Sequence, residues 1–307
     1  MLEWLVVGGA PTALLAAFRA LPPGEAVEVF LRVSATTMPA ENAAELARAL
    51  RREDWVVQGL RKAHSRFWWR RMEAGRLLAL VGDDGDRQVL QALLRDSSPA
   101  VQVVAGGALA RFGGAEAAEQ MLERLPSRSR FIRLQQTKTL KKQWAIVTPL
   151  LERRLAKEGD LDRLLIWIAL ADALGAVDLF ERLRVLRTHP EPQVRFAIAL
   201  ALRNYFHPLA AADLARLLDD DEGRVRARAA QSLGARGAEE AVAPLTRSLD
   251  DTDWSVRFRS AVALAQLGET GREALRAARA GLDQYAADMA STVVGLSAGA
   301  LNELAEG

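Results

Sequence analysis

Val225-Arg226-Ala227-Arg228-Ala229-Ala230-Gln231-Ser232-Leu233 and Val256-Arg257-Phe258-Arg259-Ser260-Ala261-Val262-Ala263-Leu264 are one pattern written twice, 31 residues apart. Each opens on Val-Arg and places apolar or small residues at three- and four-residue steps, which gives a helix one buried face. Each ends four residues after its leucine on a glycine, Gly237 or Gly268, the residue that best adopts the left-handed conformation closing a helix. Stepping back by the same period reaches Val194, Arg163, Ile132, Val101 and Arg70. Eight residues after the seven starts stand Leu78, Leu109, Leu140, Ala171, Leu202, Leu233 and Leu264. One residue after six of them stands Arg71, Gln102, Arg133, Arg195, Arg226 or Arg257. A period of this length marks a stack of helical units, each covering the apolar face of the next. The fold class is all-α, a right-handed α-solenoid of helix pairs.

Each Val-Arg helix is preceded by a flanking helix, read at Asp86–Leu94, Asp213–Leu218 and Glu239–Leu249, the last with Pro244 near its middle. Tight acidic turns join the two, at 96–99, 219–221 and 250–253. Acids there can cap free N–H groups of the next helix. Asp96, Asp220 and Asp251 stand five residues before three of the starts, and His189 takes that place before a fourth. Asp in the turn and Arg at the helix start predict a structural ladder of ion pairs within and between units. In the middle of the array the helix at Ile132 is polar, and the next unit fits three residues late, as Ile166 to Gly175. That spacing predicts a three-residue insertion, removed again before Val194.

The chain has 307 residues, half of them hydrophobic, with 41 basic against 39 acidic side chains, a net charge of +2. So small an excess gives no reason to propose nucleic acid as partner. With no cysteine, disulfides, thiolate metal sites and cysteine nucleophiles are excluded. Trp4 to Phe18 is uncharged, but it is shorter than the ~20 residues of a membrane span, and Gly8, Gly9 and Pro11 interrupt it. A cytoplasmic protein is expected, with membrane contact only peripheral. Residues 1–65 lack the repeat and read as a helical N-terminal cap, with candidate helices at 2–21, 25–37, 40–52 and 55–63. The repeat array covers 66–285, and 286–307, rich in Ala, Ser and Gly, reads as a closing helix.

Pro190-Glu191-Pro192-Gln193-Val194-Arg195, and Asp253-Trp254-Ser255-Val256-Arg257 followed by Ala261, Leu264 and Gly268, resemble the HEAT repeat. The short period is similar to the HEAT-like repeats named after phycobilisome lyases. This resemblance implies that the Val-Arg helices line the concave side. The stretches 67–78, 129–134 and 285–290 resemble an uncharacterised bacterial group of HEAT proteins often encoded beside a family 2 glycosyltransferase. That resemblance implies a scaffold in an envelope polysaccharide system.

No catalytic constellation is legible. His64, His189 and His207 are far apart and lack metal-ligand spacing, so no metal or cofactor is expected and the histidines read as structural. Gly106-Gly107 falls mid-helix and Gly113-Gly114 at a helix end, where packing and capping account for them. Two features suit binding. Positions two and three after the starts lie off the core stripe, on the expected concave face, and give Phe196, Arg228, Phe258 and Arg259, the residue types that anchor protein interfaces. A basic and aromatic patch, Arg66, Phe67, Trp68, Trp69, Arg70 and Arg71, is matched by an acid-free basic run over 124–142. Such residues suit nucleic-acid backbone, anionic headgroups or an acidic protein face. The expected function is a non-enzymatic protein-interaction scaffold. One alternative is a DNA-binding or alkylpurine-glycosylase-like protein, which would need Asp172 beside Trp167 in a groove. Another, from the repeat's namesake, is a bilin-lyase-like chaperone.

Overall fold

The computed structural model describes residues 11–22, 25–26, 29, 40–112, 114–296, 299–301 and 303. The chain forms two compact units, residues 1–147 and 148–307. In the first, α1 (Pro11–Arg19), α2 (Ala40–Leu50) and α3 (Asp54–Arg61) precede α4 (Trp68–Val81), α5 (Arg87–Leu94), α6 (Pro99–Phe112), α7 (Gly114–Arg124) and α8 (Arg130–Lys142). Helix α9 (Trp144–Lys157) starts at the end of this unit. The second unit continues with α10 (Leu161–Leu174), α11 (Phe180–Val185), α12 (Pro192–Leu202), α13 (Pro208–Arg216) and α14 (Gly223–Arg236). It ends with α15 (Val242–Arg247), α16 (Trp254–Gln266), α17 (Gly268–Arg279) and α18 (Gln284–Val294). Residues 2–10 of the predicted helix 2–21, and residues 27–28 and 30–37 of the predicted helix 25–37, lie outside the described residues. Among the described residues no helix is long and apolar enough to cross a membrane.

The cap is sealed by sequence that belongs to the repeat. Phe18, Leu46, Leu50 and Val56 share a core with Leu77, Leu80 and Val81 of α4. The first repeat helix thus finds on its open side the apolar cover that later ones receive from a neighbour.

Within the repeats the eight-residue column is the spine. Leu78, Leu109, Leu140, Ala171, Leu202, Leu233 and Leu264 are all at most 1% exposed. Full burial of one such leucine stabilises by about 1.5–3 kcal/mol relative to leaving it in water. Helix α18 continues the stack at a spacing of 30 rather than 31. Asp283 caps its N-terminus by accepting from Ala286 N–H, as Asp253 caps α16 by accepting from Ser255 N–H. The helix read as a closing element therefore begins at Gln284.

The expected three-residue insertion is absent. Trp167, Ile168, Leu170 and Ala171 of α10 are buried, as are Ile198, Ala199, Ala201 and Leu202, their partners one period later in α12. Gly175, Gly237 and Gly268 close their helices with φ of 62°, 68° and 71°, and 175 + 62 = 237 keeps two whole periods. The apparent shift arose because Ala171 stands where leucine is usual; Trp167, one turn earlier on the same face, fills the core there. The position one period after Gly175 is Phe206. A bulky residue is disfavoured in the left-handed region, and α12 ends earlier, at Leu202. Buried Tyr205 then turns inward and Phe206 stands almost fully exposed.

Candidate functional site

The Arg column builds the ladder that the sequence predicts. Arg71, Arg195 and Arg226 each chelate the Asp 25 residues on: Asp96 (2.5 and 2.8 Å), Asp220 (2.6 and 2.8 Å) and Asp251 (2.7 and 2.8 Å). The same guanidiniums donate from Nη1 to carbonyls of their own preceding turn, at Ser65, His189 and Asp220. Arg257 and Arg133 make that second contact as well, to Asp251 and Arg128. Each Asp also accepts from the N–H two residues ahead, of Ser98, Glu222 and Asp253. The hydrogen bond from Arg71 is the main cause that holds Asp96 below the usual carboxylate range. Burial pushes Asp220 and Asp251 up, but their arginines and backbone N–H groups outweigh it and both end lowered. Where the Arg column holds Leu164, the Asp column 25 residues on holds His189, whose Nδ1 accepts from Glu191 N–H. The ladder therefore loses both partners together and keeps the turn.

This removes Arg71 from the predicted basic patch. The rest stays at the surface: Arg66 and Arg70 lie over the Phe67 ring at 4.5 and 5.3 Å. Phe67 stacks on Trp69 at 4.6 Å, and Trp68 and Trp69 are about half exposed. On α8 of the same unit Phe131 and Leu134 are exposed, with Arg130, Lys138, Lys141 and Lys142.

In the second unit, Phe196, Arg228, Phe258 and Arg259 stand on α12, α14 and α16, off the buried stripe of each helix. All four are half-buried rather than fully exposed. Arg228 lies over the Phe196 ring at 4.9 Å, with Arg224 at 5.9 Å from it. Phe258 stacks on exposed Trp254 at 5.0 Å, rings 7° from parallel. Beside them opens a groove of about 550 Å³, with Leu165, Pro192, Phe196 and Leu200 along it and Glu191, Glu222 and Arg224 at its rim. Burial, then the charges of Arg259 and Arg203, push the Arg228 guanidinium below its ordinary value. Its Nε is buried without a hydrogen-bond partner. Among the described residues no carboxylate pairs with Arg228 or Arg203.

Leu165, Leu200, Arg203, Arg224 and Trp254 belong to this surface and were missed in the sequence. The period itself carried a signal for one of them: Trp254 and Trp68 both begin a Val-Arg helix, and 254 − 68 = 186 is six whole periods. Phe196 and Phe258 stand at the same repeat position as exposed Leu134.

The residues singled out for a glycosylase do not form a groove. Trp167 is fully buried and donates from Nε1 to Glu158 at 2.9 Å, and Asp172 accepts from Asn204 at 2.7 Å. His207 caps α13 by accepting from Leu209 N–H, and its ring stacks on Phe180 at 3.8 Å. Among the described residues no group of His, Cys, Asp and Glu is arranged to hold a metal.

The arrangement defines an all-α solenoid of stacked helix pairs. Residues 147–233 and 214–294 match the family model described as HEAT repeats, and that stretch is a HEAT-repeat array. Solved structures similar to the chain include YibA of Escherichia coli, 14% identical, covering 84% of this chain and 96% of that one, with a TM-score of 0.41. The complex of CpcE and CpcF of phycocyanin lyase from Nostoc is 17% identical, covering 78% and 94%, with a TM-score of 0.33. Kap121p bound to Nup53p is 12% identical, covering 95% and 44%, with a TM-score of 0.44. No curated protein matches the chain in sequence.

Proposed function

We propose that the chain is a non-enzymatic protein-interaction scaffold whose binding face is the side of α12, α14 and α16 that carries Phe196, Arg228, Phe258 and Arg259. One observation carries this reading: a half-buried arginine, Arg228, stands without a carboxylate partner among the described residues, beside an apolar groove. Elsewhere in the array the arginines at the helix starts are chelated by aspartates or bonded to turn carbonyls. A cation held partly out of water favours a complementary group from outside. Aromatic and arginine side chains at the centre of a groove are the usual anchors of an interface. In this reading the ladder is the frame and the groove is the tool.

The partner proposed for the first test is a family 2 glycosyltransferase, on the resemblance of residues 67–78, 129–134 and 285–290 to the bacterial group described above. The experiment is affinity purification of the tagged chain from its native host, with solubilised membranes included and the eluate assayed for both protein and nucleic acid, run beside a Phe196→Ser variant. A protein partner retained by the wild type and lost by the variant supports the scaffold and its face. Retention by both overturns the face. Salt-sensitive nucleic acid with no protein partner overturns the scaffold.

A further inference from the structure

Three successive Val-Arg helices each carry one arginine here: Arg203 follows the end of α12, Arg228 sits mid-way along α14, and Arg259 occupies the equivalent position one period later in α16. They are close enough that Arg203 and Arg259 both act on the Arg228 charge. Like charges gathered on a folded surface cost free energy unless a counter-charge joins them. The ladder shows how this chain neutralises arginine when the neutralisation is internal: an aspartate chelates it through two N–H groups, as Asp251 does Arg226. Arg228 has the stem packing of such a site, over Phe196, but not the acid. The groove along Leu165, Phe196 and Leu200 lies against this cluster, since Leu200 and Arg203 are one turn apart at the end of α12.

Resting on the scaffold reading, we infer that the partner segment is acidic: it seats an aliphatic or aromatic side chain in the groove and places adjacent Asp or Glu carboxylates on Arg228 and Arg203. The α14 side of the groove therefore fixes the polarity of the bound segment, apolar anchor toward α10 and carboxylates toward α14. Two acids at the groove rim, Glu191 before α12 and Glu222 before α14, disfavour acids in the part of the segment that crosses the N-terminal ends of these helices. The motif is thus a local one, an apolar residue followed by acids, rather than a uniformly acidic tail.

A random-peptide display library panned on the full chain tests this. Enriched peptides should carry Asp or Glu beside an apolar residue, and replacing their acids by Asn or Gln should weaken binding about tenfold or more. Arg228→Met keeps the stem over Phe196 and removes the charge, and together with Arg203→Gln it should produce a similar loss. Thermal melts of the variants establish that they remain folded. Neutral enriched peptides that are lost in Phe196→Ser would overturn the acidic segment and leave the scaffold reading standing. Acidic peptides that bind the arginine variants as tightly as the wild type would overturn the cluster as their site. If the library yields no binder, a short acidic segment is not the ligand.

Discussion

Arg226 and Asp251 hold consecutive repeats together through two parallel hydrogen bonds, Nε to Oδ2 at 2.7 Å and Nη2 to Oδ1 at 2.8 Å. The same guanidinium closes its own turn by donating to the carbonyl of Asp220 at 2.7 Å. Both side chains are mostly shielded from water, at 15% and 12% exposure. Charge-assisted hydrogen bonds of this kind are stronger than surface ion pairs. Arg226→Met should therefore destabilise the fold by about 2–3 kcal/mol, read as a shift in the denaturation midpoint. A change within the error of the wild type would show the ladder to be incidental.

The ladder also predicts an acid limb. Asp96, Asp220 and Asp251 all titrate below the ordinary carboxylate range in the folded protein. A group lowered by folding binds its proton more readily in the unfolded chain. Its contribution is complete above the unfolded value, about pH 4, and is lost as pH falls through the folded values. Melting temperature followed downward from neutral pH should fall in that window. In Arg226→Met the fall should be shallower, because Asp251 has lost its arginine. Parallel curves for the two proteins would contradict the assignment.

Tyr205 tests how the helix ends are closed. Its hydroxyl donates to the carbonyl of Ala171 at 2.9 Å, and one period later Arg236 donates to the carbonyl of Leu202, also at 2.9 Å. In the register-equivalent place of the first unit Gln143 donates to Ala110. Three chemically different side chains thus add a hydrogen bond to carbonyls in the last turn of a helix, where the backbone alone leaves acceptor capacity unused. Burial, and then the charge of Asp172, push the Tyr205 phenol up, so it stays a donor at neutral pH. Tyr205→Phe should cost about 1–2 kcal/mol, whereas exposed Tyr285→Phe should be neutral; equal effects would refute the role.

How much of this was legible follows from what a period can report. The spine, the glycine caps, the Arg–Asp ladder and the choice of Phe196 and Arg228 are tied to repeat position, so a spacing of 31 exposes them. The three-residue insertion was misread because Ala171 breaks the column by volume, and burial in three dimensions, not letter matching, restores the register. Arg71 looked like part of a basic patch because its acid, Asp96, is 25 residues away. Tyr205, Arg236 and Gln143 share a task but no chemistry, so no residue pattern reveals them. Arg203 lies past the end of its helix, and only the packing of α12 against α14 carries it to Arg228.

Two glycines separate close packing from helix propensity. A side chain on Gly234 in α14 would stand 2.7 Å from Ala263 Cα and 2.8 Å from Ala263 Cβ in α16. Both contacts are backbone or first side-chain atom, so no rotamer change relieves them. Gly234→Ala should force the two helices apart and cost about 1–3 kcal/mol. Gly107 lies inside α6, is exposed, and has nothing within 4 Å of an added Cβ. There the substitution only restricts the unfolded chain and favours the helix, so Gly107→Ala should stabilise by about 0.5–1 kcal/mol. Chemical denaturation of the two single variants checks both signs. If Gly234→Ala were neutral, α14 and α16 would not approach as closely as the array requires. Because these two helices carry Arg228 and Arg259, Gly234→Ala should also weaken partner binding while Gly107→Ala leaves it unchanged. That pairing makes the first variant a test of the binding face through the spacing of its helices rather than through its side chains.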